Sequence, residues 1–344
     1  MTEITSLIRP HLLQLMPYAT ARDEYAGEAK LFLDANESPY NLKLNRYPDP
    51  KQTVLRKAVA VWKGVNPENV FTGNGSDEAI DLLLRAFCEP GKDAILIMPP
   101  TYGMYAVAAN THGIGVDELL LGADFQPDYE KLLQRSKQYK ILFLCSPNNP
   151  TGNLIKNDIL EKILQVFSGL VVVDEAYADF SGGDSNLTLL KKFPRLVVLQ
   201  TFSKALGLAA ARVGMAFAHK DVIEVLDRIK LPYNLNALSI EAAMKRLKQK
   251  ETLSVQIKSI IRQRQKLMKS FEKLPFVMKV FPSEANFILI KVTDSNHLYN
   301  FLAQKGIIVR NRSNQPLLEN CLRITVGNAH QNKLLMKTLR QYNL

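Results

Sequence analysis

Thr201-Phe202-Ser203-Lys204-Ala205-Leu206-Gly207-Leu208-Ala209, followed by Arg212, places a lysine in a turn of small residues. An apolar run, Leu196-Val197-Val198-Leu199, leads into the turn. Taken alone, Lys204 reads as a solvated loop lysine. A lysine amine is also the side chain that forms an imine with a carbonyl compound. Here it stands between a serine and an arginine eight residues on, two groups suited to an anion.

The upstream residues choose between these readings. Val171-Val172-Val173 reads as a buried parallel strand, and Asp174 falls where that strand ends. Open α/β sheets bind ligands at the carboxyl ends of their parallel strands, although a lone aspartate there is equally an ordinary cap or turn residue. A lysine imine, a carboxylate for a pyridine nitrogen and a hydroxyl for a phenolic oxygen are the needs of pyridoxal phosphate (PLP), whose ring is a strong electron sink only when protonated. Lys204, Asp174 and Tyr177 supply these three groups, with Ser203 and Arg212 for the phosphate.

Three further motifs keep the same order along the chain. Ser146-Pro147-Asn148-Asn149-Pro150-Thr151-Gly152 is a rigid turn after the apolar run 141–144. Phe71-Thr72-Gly73-Asn74-Gly75-Ser76-Asp77-Glu78 precedes an apolar helical pattern, so its turn presents unpaired N–H groups to an anion, or is a plain capping turn. Pro99-Pro100-Thr101-Tyr102-Gly103 is the third. The series resembles the class I/II aminotransferases of PLP fold type I over nearly the whole chain. That resemblance implies Lys204 as the catalytic imine lysine, Asn149 on the phenolic oxygen, Gly75, Ser76 and Asp77 at the phosphate, and Tyr102 stacked on the ring.

Within that class, Leu33-Asp34-Ala35-Asn36-Glu37-Ser38-Pro39-Tyr40, Arg46-Tyr47-Pro48-Asp49-Pro50 and Leu322-Arg323-Ile324-Thr325-Val326-Gly327 resemble the histidinol-phosphate aminotransferases, as do Met16-Pro17-Tyr18 and Val309-Arg310. The resemblance implies a homodimer in which Tyr47 reaches the partner's cofactor, and Tyr18, Asn36, Arg310 and Arg323 at the substrate. It also implies transfer of the amine of L-glutamate to imidazole acetol phosphate, giving 2-oxoglutarate and L-histidinol phosphate. Two anionic substrates sharing one pocket suit arginines, which grip carboxylate or phosphate bidentately. Arg323 is the carboxylate arginine of the wider family; Arg310 would add the second charge a phosphate favours, although with Arg312 nearby either of the two could be a surface residue. An aromatic amino-acid aminotransferase and a threonine-phosphate decarboxylase would share every cofactor residue. A PLP-binding regulator would need an added DNA-binding domain, for which residues 1–40 leave little room.

The elements that must position these groups are legible as alternation. Strand-like runs at 94–98, 141–144, 170–173, 196–199 and 213–217 alternate with helical patterns, giving an α/β sheet covered on both faces. The family fold adds that this sheet is mostly parallel with one antiparallel strand. We expect a large PLP domain over 41–236, a small α+β domain over 237–344, and an N-terminal arm over 1–40 that joins the small domain in part. Residues 245–273 hold ten Lys/Arg against two Glu, with apolar residues at helical spacing, and read as one amphipathic helix with a solvated basic face. Despite a formal net charge of +11, no nucleic-acid motif accompanies that face. Cys88, Cys145 and Cys321 have no paired spacing and read as buried thiols in a reducing cytoplasm. No metal-ligand spacing, apolar run of membrane-spanning length or leader pattern is evident.

Overall fold

The computed structural model describes residues 3–18, 20–24, 30–40, 44–183 and 185–342 of the 344-residue chain. The helices of the first half are α1 (Pro10–Leu13), α2 (Ala21–Glu24), α3 (Thr53–Lys63), α4 (Ser76–Phe87), α5 (Met104–Thr111), α6 (Tyr129–Arg135) and α7 (Asn157–Val166). Between them run β1 (Val70–Asn74), β2 (Ala94–Ile97), β3 (Gly115–Glu118) and β4 (Ile141–Cys145), and after α7 come β5 (Leu170–Asp174), β6 (Leu196–Thr201) and β7 (Val213–Ala218). After α8 (Lys220–Ile229), α9 (Ala237–Leu247) and α10 (Lys250–Phe271) come β8 (Val277–Val280) and β9 (Phe287–Val292). The chain closes with α11 (Ser295–Gln304), β10 (Arg310–Asn311), β11 (Cys321–Thr325) and α12 (Ala329–Leu339).

β1 to β7 form one sheet in the order β1-β7-β6-β5-β4-β2-β3. Only β7 runs against its neighbours; the other pairs are parallel. The expectation of a mostly parallel α/β sheet with one reversed strand therefore holds. β4, β5, β6 and β7 are buried along their whole length, which is why their sequences are continuous apolar runs. β1 and β3 were not among the expected strands. β1 lies in the Phe71–Glu78 segment, whose Gly-Asn-Gly disguised it as a turn, and β3 is a solvated edge strand with little apolar signal.

A second sheet, β10-β11-β9-β8, is antiparallel throughout. Its strands alternate between two cores. Ile288, Ile290, Leu322 and Ile324 face the core shared with α10, α11 and α12, while Phe287, Leu289 and Cys321 join the core of the large sheet. One face of the small sheet is thereby turned toward the large one, which decides which of its side chains meet the site.

Three expectations differ from the structure. The segment before α2 packs on the large-sheet layer and not on the small domain: Ile4, Ile8 and Leu12 join the core of α4 and α8, and Arg9 pairs with Glu89 at 2.9 Å. The basic stretch 245–273 is two helices, with α9 ending at Leu247 and packed on α3 and β7. Arg264 leaves the solvated basic face. It is 5% exposed and donates to the carbonyls of Phe180 and Ala285 and to Glu284; a run of charges on a helix does not reveal which one caps a neighbouring loop. All three cysteines are free and buried, and no described helix is long and apolar enough to cross a membrane.

Candidate active site

The register of the large sheet sets Cys145 beside Asp174 and Asp174 beside Leu199. β4 and β5 thus end side by side while β6 runs two residues further to Thr201, and the loops leaving them carry Asn149, Tyr177 and Lys204. Opposite stands the start of α4. Gly75 has φ 80°, and a Cβ there would lie 2.7 Å from Arg212 Nη2. A Cβ on Gly214 would lie 2.1 Å from the backbone of Gly75 and Ser76, so β7 holds the helix entrance in close contact that only glycine permits. No side chain caps α4, leaving its first N–H groups open to an anion.

These loops enclose a cavity of about 140 Å³. Its walls include Gly75, Ser76, Asp77, Tyr102 and Asn149 from the first half of the chain, and Asp174, Tyr177, Ser203, Lys204 and Arg212 from the second. Every cofactor residue expected from the sequence is therefore present except Tyr47. Asp77's carboxylate is already engaged by Tyr102 at 3.2 Å and Arg212 at 3.2 Å, so its backbone N–H is what it offers an anion. Ser203 N–H donates to Thr201 Oγ1 at 3.0 Å, which fixes the turn before Lys204.

Asp174 is 3% exposed. It accepts from Tyr105 at 2.7 Å and from the Ala176 N–H at 3.0 Å. Among the described residues no cation comes within ion-pair distance of it. Burial raises its pKa to about 6, against the lowering effect of those two hydrogen bonds. A buried carboxylate that faces a cavity and has no ion-pair partner among the described residues fits a ligand that brings a protonated nitrogen. Tyr105 was missed in the sequence. It stands three residues after Tyr102 in α5, is fully buried, and stacks on Phe143 at 4.7 Å; that one-turn spacing was the available signal.

Lys204 is exposed by surface area, yet it stands in a concave wall with its Nζ 5.6 Å from the Tyr177 ring centroid. Partial desolvation, then repulsion from Arg323, lowers its pKa from the usual lysine value. Asn149 donates weakly to the Tyr177 hydroxyl at 3.5 Å and accepts from Arg323. Arg323 comes from β11 of the small sheet, lies 5.3 Å over the Phe287 ring and has no carboxylate partner among the described residues. Burial lowers its pKa. Arg310 sits directly opposite it on β10 and is exposed.

The remaining expected residues lie elsewhere in the chain. Tyr47 stacks on Tyr233 at 4.5 Å and lines a separate cavity of about 580 Å³ with Asn36. Tyr18 is 75% exposed, in a groove beside Pro50 and Arg228. None of the three borders Lys204 of its own chain.

Asp174 gives a test without any ligand. Its folded pKa, about 6, exceeds the unfolded 3.8, so the folded state holds the proton more tightly. Stability then falls as pH rises from about 4 through about 6 and stays reduced above. Asp174→Asn should stabilise the cofactor-free protein by up to roughly 3 kcal/mol at pH 8, with the gain shrinking as pH approaches 4. Urea unfolding at several pH values measures this. A pH-independent gain, or a loss at pH 8, would show that the carboxylate is not buried unpaired.

Comparison with known proteins agrees with this geometry. The family profile of aminotransferase class I and II matches residues 33–339. The histidinol-phosphate aminotransferase of Flavobacterium johnsoniae is 49% identical over 99% of both chains. That of Parabacteroides distasonis is 47% identical over the full length of both. Among solved structures, the histidinol-phosphate aminotransferase of Clostridium acetobutylicum superposes with a TM-score of 0.81 at 24% identity, covering 87% of this chain and 90% of that one. The Sinorhizobium meliloti enzyme, in complex with pyridoxal-5'-phosphate, gives 0.79 at 22% identity, covering 87% and 84%. The family depends on PLP, and the uncapped α4, the glycine-lined cradle and the cation-free Asp174 fit that cofactor. The chain belongs to the class I and II aminotransferases and, within them, to the histidinol-phosphate aminotransferase family.

Proposed function

We propose that the enzyme moves the amino group of L-glutamate to imidazole acetol phosphate, yielding 2-oxoglutarate and L-histidinol phosphate. The observation that carries this reading is Arg323, a guanidinium beside Lys204 that is held by Asn149 and Phe287 yet has no carboxylate partner among the described residues. A charge kept there without a protein partner serves an anionic substrate. Arg310 opposite supplies the second cation that a phosphate monoester rewards more than a carboxylate does.

Bound PLP supplies an electron sink for the charge left on the substrate α-carbon when its proton departs. The chain's own residues do the rest. The α4 entrance and Arg212 would bind the phosphate, and the Asn149 amide and Tyr177 hydroxyl would orient the ring through its phenolic oxygen. Asp174 would hold the proton on the pyridine nitrogen, and that cation would in turn keep its carboxylate ionised. Lys204 Nζ, as a free amine, would take the α-carbon proton and deliver it to the carbon on the other side of the exchanged nitrogen. Its lowered pKa leaves more of the amine neutral at a given pH than an exposed lysine would have.

The homodimer belongs to the same reading, with Tyr47, Asn36 and Tyr18 serving the partner's site. Tyr47 supports it by its placement: half-exposed, away from its own Lys204, on a segment clamped by Glu37. That carboxylate accepts from the Tyr47 N–H at 2.6 Å and pairs with Arg46 and Arg22 at 2.6 and 2.7 Å. Leu33, Leu231 and Leu238 are exposed apolar side chains in the same part of the chain or beside Tyr233. Sedimentation at micromolar concentration should return twice the mass of the chain, and a stable, active monomer would withdraw the dimer and the role of Tyr47.

The reaction is tested by separate half-reactions of the PLP form with glutamate, histidinol phosphate and phenylalanine, followed by absorbance. Arg323→Ala should lower the specificity constant roughly ten- to a hundred-fold for both biological substrates, the cost of a lost charge-assisted contact. Arg310→Ala should harm histidinol phosphate more than glutamate. Better conversion of phenylalanine than of histidinol phosphate by the unaltered enzyme would overturn the substrate reading and leave the cofactor residues in place.

A further inference from the structure

Arg312 is the residue of the anion site that neither the motif series nor the mechanism above employs. Its backbone N–H donates to the carbonyl of Cys321 at 2.9 Å, extending the β10–β11 ladder one residue past Asn311. Side chains alternate along that ladder. Leu322 faces the core of the small domain, and Asn311, opposite it, donates to Asn296 on α11 at 2.7 Å. Arg310 and Arg312 therefore share the other face, together with Arg323 and the Phe287 beneath it. Three guanidinium groups are gathered on the face that looks toward Lys204.

Among the described residues no acidic side chain pairs with them. The Arg312 side chain makes no hydrogen bond or ion pair with any described residue, and its Nε lies buried without an acceptor. Burial, then repulsion from Arg323 and Arg310, pushes its pKa down to about 10. An unpaired half-buried guanidinium beside two like charges is costly, and the cost persists in the fold unless something anionic relieves it. A carboxylate brings one charge and is matched by Arg323 alone. A phosphate monoester dianion brings two charges and three acceptor oxygens.

We propose that Arg312 is a specificity-determining residue: with Arg310 and Arg323 it makes this corner of the site selective for a phosphate monoester dianion over a carboxylate. The proposal rests on the reading that histidinol phosphate and glutamate share the site, and it deepens that reading by naming what separates them. Arg323 grips either anion, while Arg312 acts chiefly on the more highly charged one, so that its loss changes preference more than it changes turnover.

The test is made on the holoenzyme with Arg312→Gln and Arg312→Lys. The Gln variant should lose on the order of ten-fold in kcat/KM for histidinol phosphate and less than about three-fold for glutamate. The Lys variant, which keeps the charge and loses the planar fork, should recover part of the loss. Calorimetric titration of the holoenzyme with inorganic phosphate gives a readout independent of turnover, and the Gln variant should bind it about ten-fold more weakly. Equal losses for both substrates, or unchanged phosphate binding, would overturn the proposal. If the unaltered enzyme fails to convert histidinol phosphate, the functional reading fails, while the phosphate titration still decides whether Arg312 recognises the dianion. Should the Gln variant not fold, Arg312→Met keeps the aliphatic stem for the same comparison. Failure of both to fold would assign Arg312 a structural role and overturn the proposal.

Discussion

A carboxylate buried at the end of the central strand, with no described cation beside it, is the constraint around which this molecule is arranged. Asp174 can be held there only because β4, β5 and β6 flank it with continuous apolar side chains, and because Tyr105 and the Ala176 N–H take up its oxygens. Left alone, such a group is a cost to the fold, raised toward neutrality by its surroundings. A protonated pyridine nitrogen bound against Asp174 would turn that cost into binding energy, and the carboxylate would in return favour the ring's electron-sink form. The adjacent ends of β4 and β5, the close approach of Gly214 to the α4 entrance and the turn that carries Lys204 bring the other walls of the same cavity together around Asp174.

Arg323 and Arg310, the groups proposed to recognise the substrate, come from a separate sheet. The small sheet turns Phe287 and Arg323 toward the large one, where Tyr177 meets the Phe287 ring edge-on at 5.1 Å and Asn149 accepts from Arg323. Asn149 and Tyr177 thus border both regions: they line the cavity that holds Asp174 and Lys204 on one side and meet Arg323 and Phe287 on the other. Movement of the small sheet relative to the large one would change the reach of Arg323 while leaving Asp174 and Lys204 in register.

The turns that carry Asn149, Asp174 and Lys204 were legible in the sequence because each follows a buried parallel strand, and such strands announce themselves as runs like Val171-Val172-Val173. What was not legible depends on contacts between distant segments. Tyr105 reaches Asp174 across 69 positions of sequence, and its aromatic character alone does not distinguish it from core. Arg312 looked like a surface neighbour of Arg310 because a two-residue strand carries no periodicity to show that both share a face with Arg323. Arg264 hid within a basic run for the reverse reason: nine other charges of that stretch gave no hint that this one turns inward to the Phe180 and Ala285 carbonyls. The segment that carries Tyr18, Asn36 and Tyr47 showed its motif clearly, yet the fold places all three away from Lys204 of their own chain, which no local pattern of residues announces.

The most direct measurement is the ¹⁵N resonance of PLP labelled at the pyridine nitrogen, bound to the unaltered enzyme and to Asp174→Asn. The account predicts a protonated nitrogen in the unaltered enzyme from pH 6 to 8, with protonation lost or strongly reduced in the variant. A neutral pyridine nitrogen in the unaltered enzyme, or identical resonances in the two proteins, would contradict the claim that the buried carboxylate holds that proton.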